Sequence, residues 1–137
     1  MMNILVIDGQ GGQIGARLIS ALSSKTETHT VVAVGTNSIA TQAMIKAGAD
    51  RGATGENPAV VLAARADIIA GPLGIIAANA LLGEITPKIA MAVSESRAEK
   101  VLIPVNRCGI QIAGASHQSM KEDILDAARI IAGLISR

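Results

Sequence analysis

Gly9, Gly12 and Gly15 recur at every third position in the stretch DGQGGQIG, Asp8 to Gly15, directly after the apolar run NILVI. A glycine-rich loop that leaves a strand and opens a helix can cradle a phosphate. Missing side chains let an anion reach the backbone, and the helix N-terminus offers free N–H groups and a partial positive charge. In that reading Gly9 allows the tight turn, Gly11 and Gly12 admit the phosphate, and Gly15 lets the helix pack close to the strand. Gln10, Gln13 and Ile14 complete the candidate binding loop. The other reading is a plain turn, because any sharp strand-to-helix turn wants glycine. The G-x-G-x-x-G pattern would need glycine at position 14, where Ile14 stands; the spacing present is G-x-x-G-x-x-G. Asp8 weighs against a bare pyrophosphate, which it repels unless a cation or the loop amides intervene. It is expected to cap its own glycine turn rather than to hold magnesium.

A second candidate loop is GTNS, Gly35 to Ser38. Dinucleotide-binding folds place an Asp or Glu at the end of the second strand to bind ribose hydroxyls. No acid stands here. Thr36, Asn37 and Ser38 either bind ribose or phosphate themselves or cap the next helix. No arginine in this loop recommends NADP over NAD. A third loop, GPLG, contributes Gly71, Pro72 and Gly74, and GATGEN, Gly52 to Asn57, borders the same edge.

Groups for covalent or acid–base chemistry are sparse. Cys108 follows a strand end beside Arg107, and a neighbouring guanidinium lowers a thiol pKa. His117 in GASHQS is a general acid or base by type. Those two are the catalytic candidates; an inert cysteine and a solvated loop histidine are the alternatives. Asn106 and Arg107 read better as ligand contacts at the carboxyl end of a strand. His29 is expected on the surface at the opposite end, and Glu84, Glu95 and Asp67 as ordinary flanks of helices and strands. No paired carboxylates or metal-ligand cluster emerge, so no metal site is expected. The chain has no tyrosine, which removes the Tyr-x-x-x-Lys pair of short-chain reductases. A Walker loop needs Gly-Lys-Ser/Thr, and no lysine precedes Lys25. A hydrolase elbow would need serine at Gly11.

The elements that must position these residues alternate in type. NILVID, HTVVAVG, a short RGATG, DIIAG and KVLIPVN read as strands, with IQIAG as a short final one. Helical spacing places Ile14, Leu18 and Leu22 on one face of Gln13 to Ser23. Helices are also expected over Ser38 to Ala47, from Asn57 (N-cap) and Pro58 (first helical position), and over Leu73 to Leu82, which is apolar all round and hence buried. Thr86 and Pro87 open another, reaching about Ser96. Ser119 and Glu122 form a capping box for the last, with Ile124, Ala128, Ile131 and Ile135 in a stripe. This alternation predicts an α/β fold: a three-layer, doubly wound, mostly parallel sheet with strand order near 3-2-1-4-5.

Composition bounds the rest. The 137 residues suit one domain, 1–137, and half are hydrophobic with no aromatic among them. The core must be aliphatic. Twelve basic and eleven acidic residues, unclustered, give no footprint for nucleic acid. Ile68 to Gly83 runs without a charge, but it is shorter than the about 20 residues of a membrane span and is broken by Gly71, Pro72, Gly74 and Asn79. No membrane segment or signal peptide is expected. One cysteine precludes an internal disulfide and fits a cytoplasmic location.

The G-x-x-G-x-x-G loop resembles that of epimerase-like and reductase-like nucleotide-binding domains. The strings MNILVIDGQGGQIG, AVGTNSIATQAMIKAGADRGATGEN, DIIAGPLGIIAANALLGEITP and LIPVN together resemble a small bacterial family, domain of unknown function 3842. That resemblance implies a small, stand-alone, cytoplasmic, Rossmann-like protein and supplies no activity, substrate or catalytic residue. From the loops, the first expectation is a Rossmann-like domain binding a nucleotide, dinucleotide or other phosphorylated ligand, with NAD(P) or another nucleotide as cofactor. The alternatives are a small NAD(P)-dependent reductase or transferase, with Asn106, Arg107 or Cys108 near the substrate, and a non-enzymatic regulatory or assembly subunit. A single nucleotide lobe leaves little room for a substrate domain, which makes a homodimer plausible, with Leu73 to Leu82 in the core or at its interface.

Overall fold

The computed structural model describes residues 1–105, 109–114 and 118–137. Five parallel strands form one sheet in the order β3-β2-β1-β4-β5: β1 (Asn3–Asp8), β2 (Thr30–Gly35), β3 (Arg51–Thr54), β4 (Ile68–Pro72) and β5 (Glu99–Ile103). The fold is the predicted doubly wound α/β architecture. Its order reverses between β1 and β4.

Helices α1 (Gln13–Leu22), α2 (Ser38–Lys46) and α5 (Met120–Ile135) cover one face of the sheet; α3 (Glu56–Ala63) and α4 (Pro87–Glu95) cover the other. Residues alternate across β1: Ile4 and Val6 join the first core, Leu5 and Ile7 the second. Both faces are buried, so β1 is a continuous apolar run rather than an alternating one. Ile14, Leu18 and Leu22 face the first core as the spacing predicts, and so do Ile124, Ala128 and Ile131, with Ile135 partly buried against them. Burying an aliphatic side chain of this size contributes about 1.5–3 kcal/mol. That contribution, repeated across two aliphatic cores, holds the layers together without an aromatic ring.

The capping signals are realised at three helices, α2 through Asn37, α4 and α5. Thr86 accepts from the Ile89 N–H ahead of Pro87, and Ser119 accepts from Glu122 N–H while its hydroxyl pairs with the Glu122 carboxylate. At α3 the signal misleads. Gly55 holds the N-cap position, and Asn57 and Pro58 lie inside the first turn. Proline is tolerated throughout that turn because its missing N–H has no intrahelical acceptor there.

Three further expectations are corrected. Leu73 to Leu82 is not a buried helix: it is one 3₁₀ turn, Leu73–Ile76, followed by irregular chain, with Leu82 95% exposed. The last strand stops at Ile103 rather than Asn106, and Ile110 to Gly114 is turn and coil, exposed from Gln111 on, not a strand. Among the described residues no helix is long and apolar enough to cross a membrane.

Candidate functional site

The β1–α1 loop is organised by the acid at its start. Asp8 ends β1 and is 4% exposed. Its Oδ1 accepts from Gly9 N–H at 2.8 Å, and its Oδ2 accepts from Gly15 N–H at 2.8 Å. Asp8 thus caps the glycine turn and the N-terminus of α1 from inside the chain. Burial pushes its carboxyl pKa up. Backbone N–H groups of Gly15, Gly9 and Ile14 pull it down, the negative charge of Glu84 pushes it up again, and the net direction is upward.

The glycines divide by what surrounds them. Gly12 has φ +70, and a Cβ there would stand 2.7 Å from the Ala40 backbone of α2. It therefore serves helix packing, not the approach of an anion. Gly15 faces Met44 of α2 as well as Asp8 at the strand end. Gly9 is closed in by Thr36, Glu84 and Leu81. Gly11 alone of the loop glycines is open, with only the Gln13 side chain 3.8 Å from where a Cβ would stand.

Glu84 is the residue that sequence reasoning assigned to an ordinary flank, and the structure overturns that. Its Oε1 accepts from the Gln10 N–H at 2.9 Å, the Thr36 hydroxyl at 2.5 Å and the Asn37 amide at 2.9 Å. The Asn37 amide also donates to the Gln10 carbonyl at 3.0 Å. One carboxylate from the chain after β4 therefore ties together the loops after β1 and β2. Desolvation raises the Glu84 pKa, but the three hydrogen bonds outweigh it and the net direction is downward. A signal existed in the sequence: Glu84 is the first charge after the uncharged run from Ile68 to Gly83.

The segment that delivers Glu84 is tightly wound. Asn79 N–H donates to the Ile85 carbonyl and Ile85 N–H to the Ala80 carbonyl, while Gly83 and Glu84 N–H groups donate to Asn79 and Leu81. Asn79, Leu81 and Leu82 have φ of 67, 56 and 57, and Gln10, a donor to Glu84, has φ 49. These four are the non-glycine residues with positive φ among those described. Such conformations cost about 1–3 kcal/mol each and persist only where surrounding bonds impose them.

The other predicted site residues fall as follows. Asn37 Oδ1 caps α2 by accepting from Ala40 N–H at 2.9 Å, and its amide is taken by Glu84 and Gln10. Thr36 is likewise turned to Glu84. Ser38 begins α2 and is exposed. GPLG is not an open loop: Gly71 and Pro72 are the end of β4, Gly74 lies in the 3₁₀ turn, and all three are buried. A Cβ at Gly71 would fall on the Ile7 carbonyl of β1. Gln10, Gly11 and Gln13 form the exposed tip of the first loop, whereas Ile14 points into the core. Asn106, Arg107, Cys108 and His117 lie outside the described residues. His29 is half-buried at the amino edge, its Nδ1 accepting from Met2 N–H at 2.9 Å.

No curated protein matches the sequence. Among solved structures the chain is similar to a dodecameric FMN-dependent Ubix-like decarboxylase from Escherichia coli O157:H7. The identity is 16% and the TM-score 0.45, with 100% of this chain and 95% of that one covered. The sequence itself matches a family profile over residues 3–136, nearly its whole length, and the chain belongs to that family, Domain of unknown function (DUF3842).

Proposed function

We propose that the chain binds a nucleotide, or a closely related small phosphorylated ligand, on the carboxyl edge of the sheet at the tip of the β1–α1 loop. One observation carries the reading. Loops after β1, β2 and β4 are gathered about the Glu84 carboxylate beside the point where strand order reverses, and every described non-glycine residue with positive φ lies in that cluster. In open parallel sheets this is where ligands bind, and strained backbone collects at such sites.

The loop amides limit where a phosphate fits. Asp8 already takes Gly9, Ile14 and Gly15, so the base of the α1 N-terminus is satisfied. The Gly11 and Gln13 N–H groups have no acceptor among the described residues, and both residues are exposed. The phosphate therefore belongs at the tip, farther from Asp8. Ile39 and Leu82, 68% and 95% exposed, flank the polar cluster in sequence and supply apolar surface for a base.

The chain has no Trp, Tyr or Phe, so the protein itself is almost transparent in the near ultraviolet. The test is the spectrum of the purified protein, the mass of whatever denaturation releases, and titration with nucleoside phosphates. Gly11→Leu is the matched variant. The fold has space for that side chain, so its unfolding free energy stays within about 0.5 kcal/mol of the parent, while nucleotide binding is lost. A Gly11→Leu protein that binds as tightly as the parent removes the loop tip as the phosphate site.

A further inference from the structure

We infer that the ligand of this site carries a free ribose hydroxyl pair, and that Glu84 is the acceptor that selects it; the inference rests on the nucleotide reading above. The two oxygens of this carboxylate are not equivalent. Oε1 receives all three donors, Gln10 N–H, Thr36 hydroxyl and Asn37 amide. Oε2 receives none from any described residue, and Glu84 is only half-buried. A carboxylate offers about four acceptor positions, roughly two on each oxygen. The internal bonds therefore saturate one oxygen and leave the other free for a donor from outside. They also fix its position, because three donors from two separate loops hold the group.

Position selects the class of donor. Doubly wound dinucleotide folds carry their ribose-binding acid at the end of the second strand. In this chain that place is Thr36-Asn37, with no acid. The Glu84 carboxylate docks onto those two residues from the far side of the crevice, so an acid stands at the end of β2 after all, supplied by the chain that follows β4. Its chemistry is that of an anionic acceptor. It accepts from both hydroxyls of a free ribose pair, loses one of those two donors with a 2′-deoxy sugar, and repels a phosphate at the 2′ position. A ribose with both hydroxyls free meets these conditions, which places NAD-type and simple ribonucleotide ligands ahead of NADP-type ones.

Glu84→Gln separates this role from the structural one. The glutamine carbonyl can still accept from Gln10, Thr36 and Asn37, so the loops stay joined, but an NH2 replaces the free acceptor. The experiment titrates parent and Glu84→Gln with the four ribonucleoside 5′-monophosphates, their 2′-deoxy counterparts and adenosine 2′,5′-bisphosphate, with the thermal midpoint of each protein alongside. The parent is expected to prefer the best ribonucleotide over its deoxy form by about tenfold or more, and to reject the bisphosphate. Glu84→Gln is expected to lose both preferences while it still unfolds in a single cooperative thermal transition. Equal parent affinity for ribo and deoxy forms overturns this inference and leaves the nucleotide reading standing, as does a preference that survives in Glu84→Gln. Failure of every mononucleotide, and of NAD titrated beside them, to bind overturns the nucleotide reading, and this inference with it.

Discussion

The two edges of the sheet use the same bond for different ends. At the amino edge, Asp67 accepts from Asn3 N–H, Asp50 from Val31 N–H and His29 from Met2 N–H, at 2.8, 2.8 and 2.9 Å. Each acceptor serves one amide at or beside the start of a strand, and each holds register there. At the carboxyl edge two acids gather many donors. Asp8 closes the glycine loop on itself, and Glu84 collects three groups that lie 47 to 74 residues away in the chain. Positive-φ side chains sit at this edge alone among the described residues. The amino edge needs no more than pairing. The carboxyl edge is held in a shape that strand pairing does not require, and that excess is what marks it as the candidate site.

The largest test of this contrast is Gly12→Val. Its φ of +70 and the Ala40 backbone 2.7 Å from the new Cβ leave no room for a side chain. Urea unfolding should show a loss on the order of 3–5 kcal/mol. A loss under about 1 kcal/mol would mean that α2 moves aside freely, and the rigid carboxyl edge would be a wrong description.

A smaller effect sharpens the roles of the two acids. Asp8 has a raised pKa in the folded chain, so its ionised form is favoured less there than in the unfolded chain. Its contribution is absent below the ordinary carboxylate range and subtracts from stability as pH rises through the raised value. Glu84 has a lowered pKa, so it adds stability above the ordinary range and loses it as pH falls through the lowered value. Unfolding midpoints from acid to neutral pH should separate the two. Glu84→Gln flattens the acid limb, and Asp8→Asn flattens the decline on the other side. Identical pH profiles for both variants would refute the division.

The smallest expected effect lies at the other edge. Asp67→Ala removes one acceptor from an exposed amide of Asn3 and should cost about 0.5–1.5 kcal/mol. Nucleotide affinity should not change. If it does, the two edges are coupled and the comparison fails.

Much of the frame was legible from local pattern. Apolar runs of strand length alternate with segments of helical spacing, and β1 through β5 appear in the order and approximate places that this alternation predicts. Short connections and right-handed crossovers leave few ways to arrange them. Asp8 was legible as a cap because its partners, Gly9 and Gly15, lie within seven residues. Leu73 to Leu82 was not legible. Its leucines and alanines favour helix, but Asn79 N–H closes on the Ile85 carbonyl and Gly83 N–H on the Asn79 carbonyl, with Leu81 and Leu82 left-handed in the turn between them. Propensity is worth tenths of a kcal/mol per residue, and a few tertiary bonds override it.

By itself, then, the amino-acid sequence determined the elements, their alternation, the aliphatic core and the glycine loop, because each depends on residues close in the chain. Only the tertiary structure decided which acid joins the loops after β1 and β2. Glu84 meets Gln10, Thr36 and Asn37 because β4 lies beside β1 and β1 beside β2. That adjacency is the strand order the alternation predicts; what spacing along the chain does not carry is the fold-back of the irregular segment after β4, which sets the Glu84 side chain on the loops after β1 and β2.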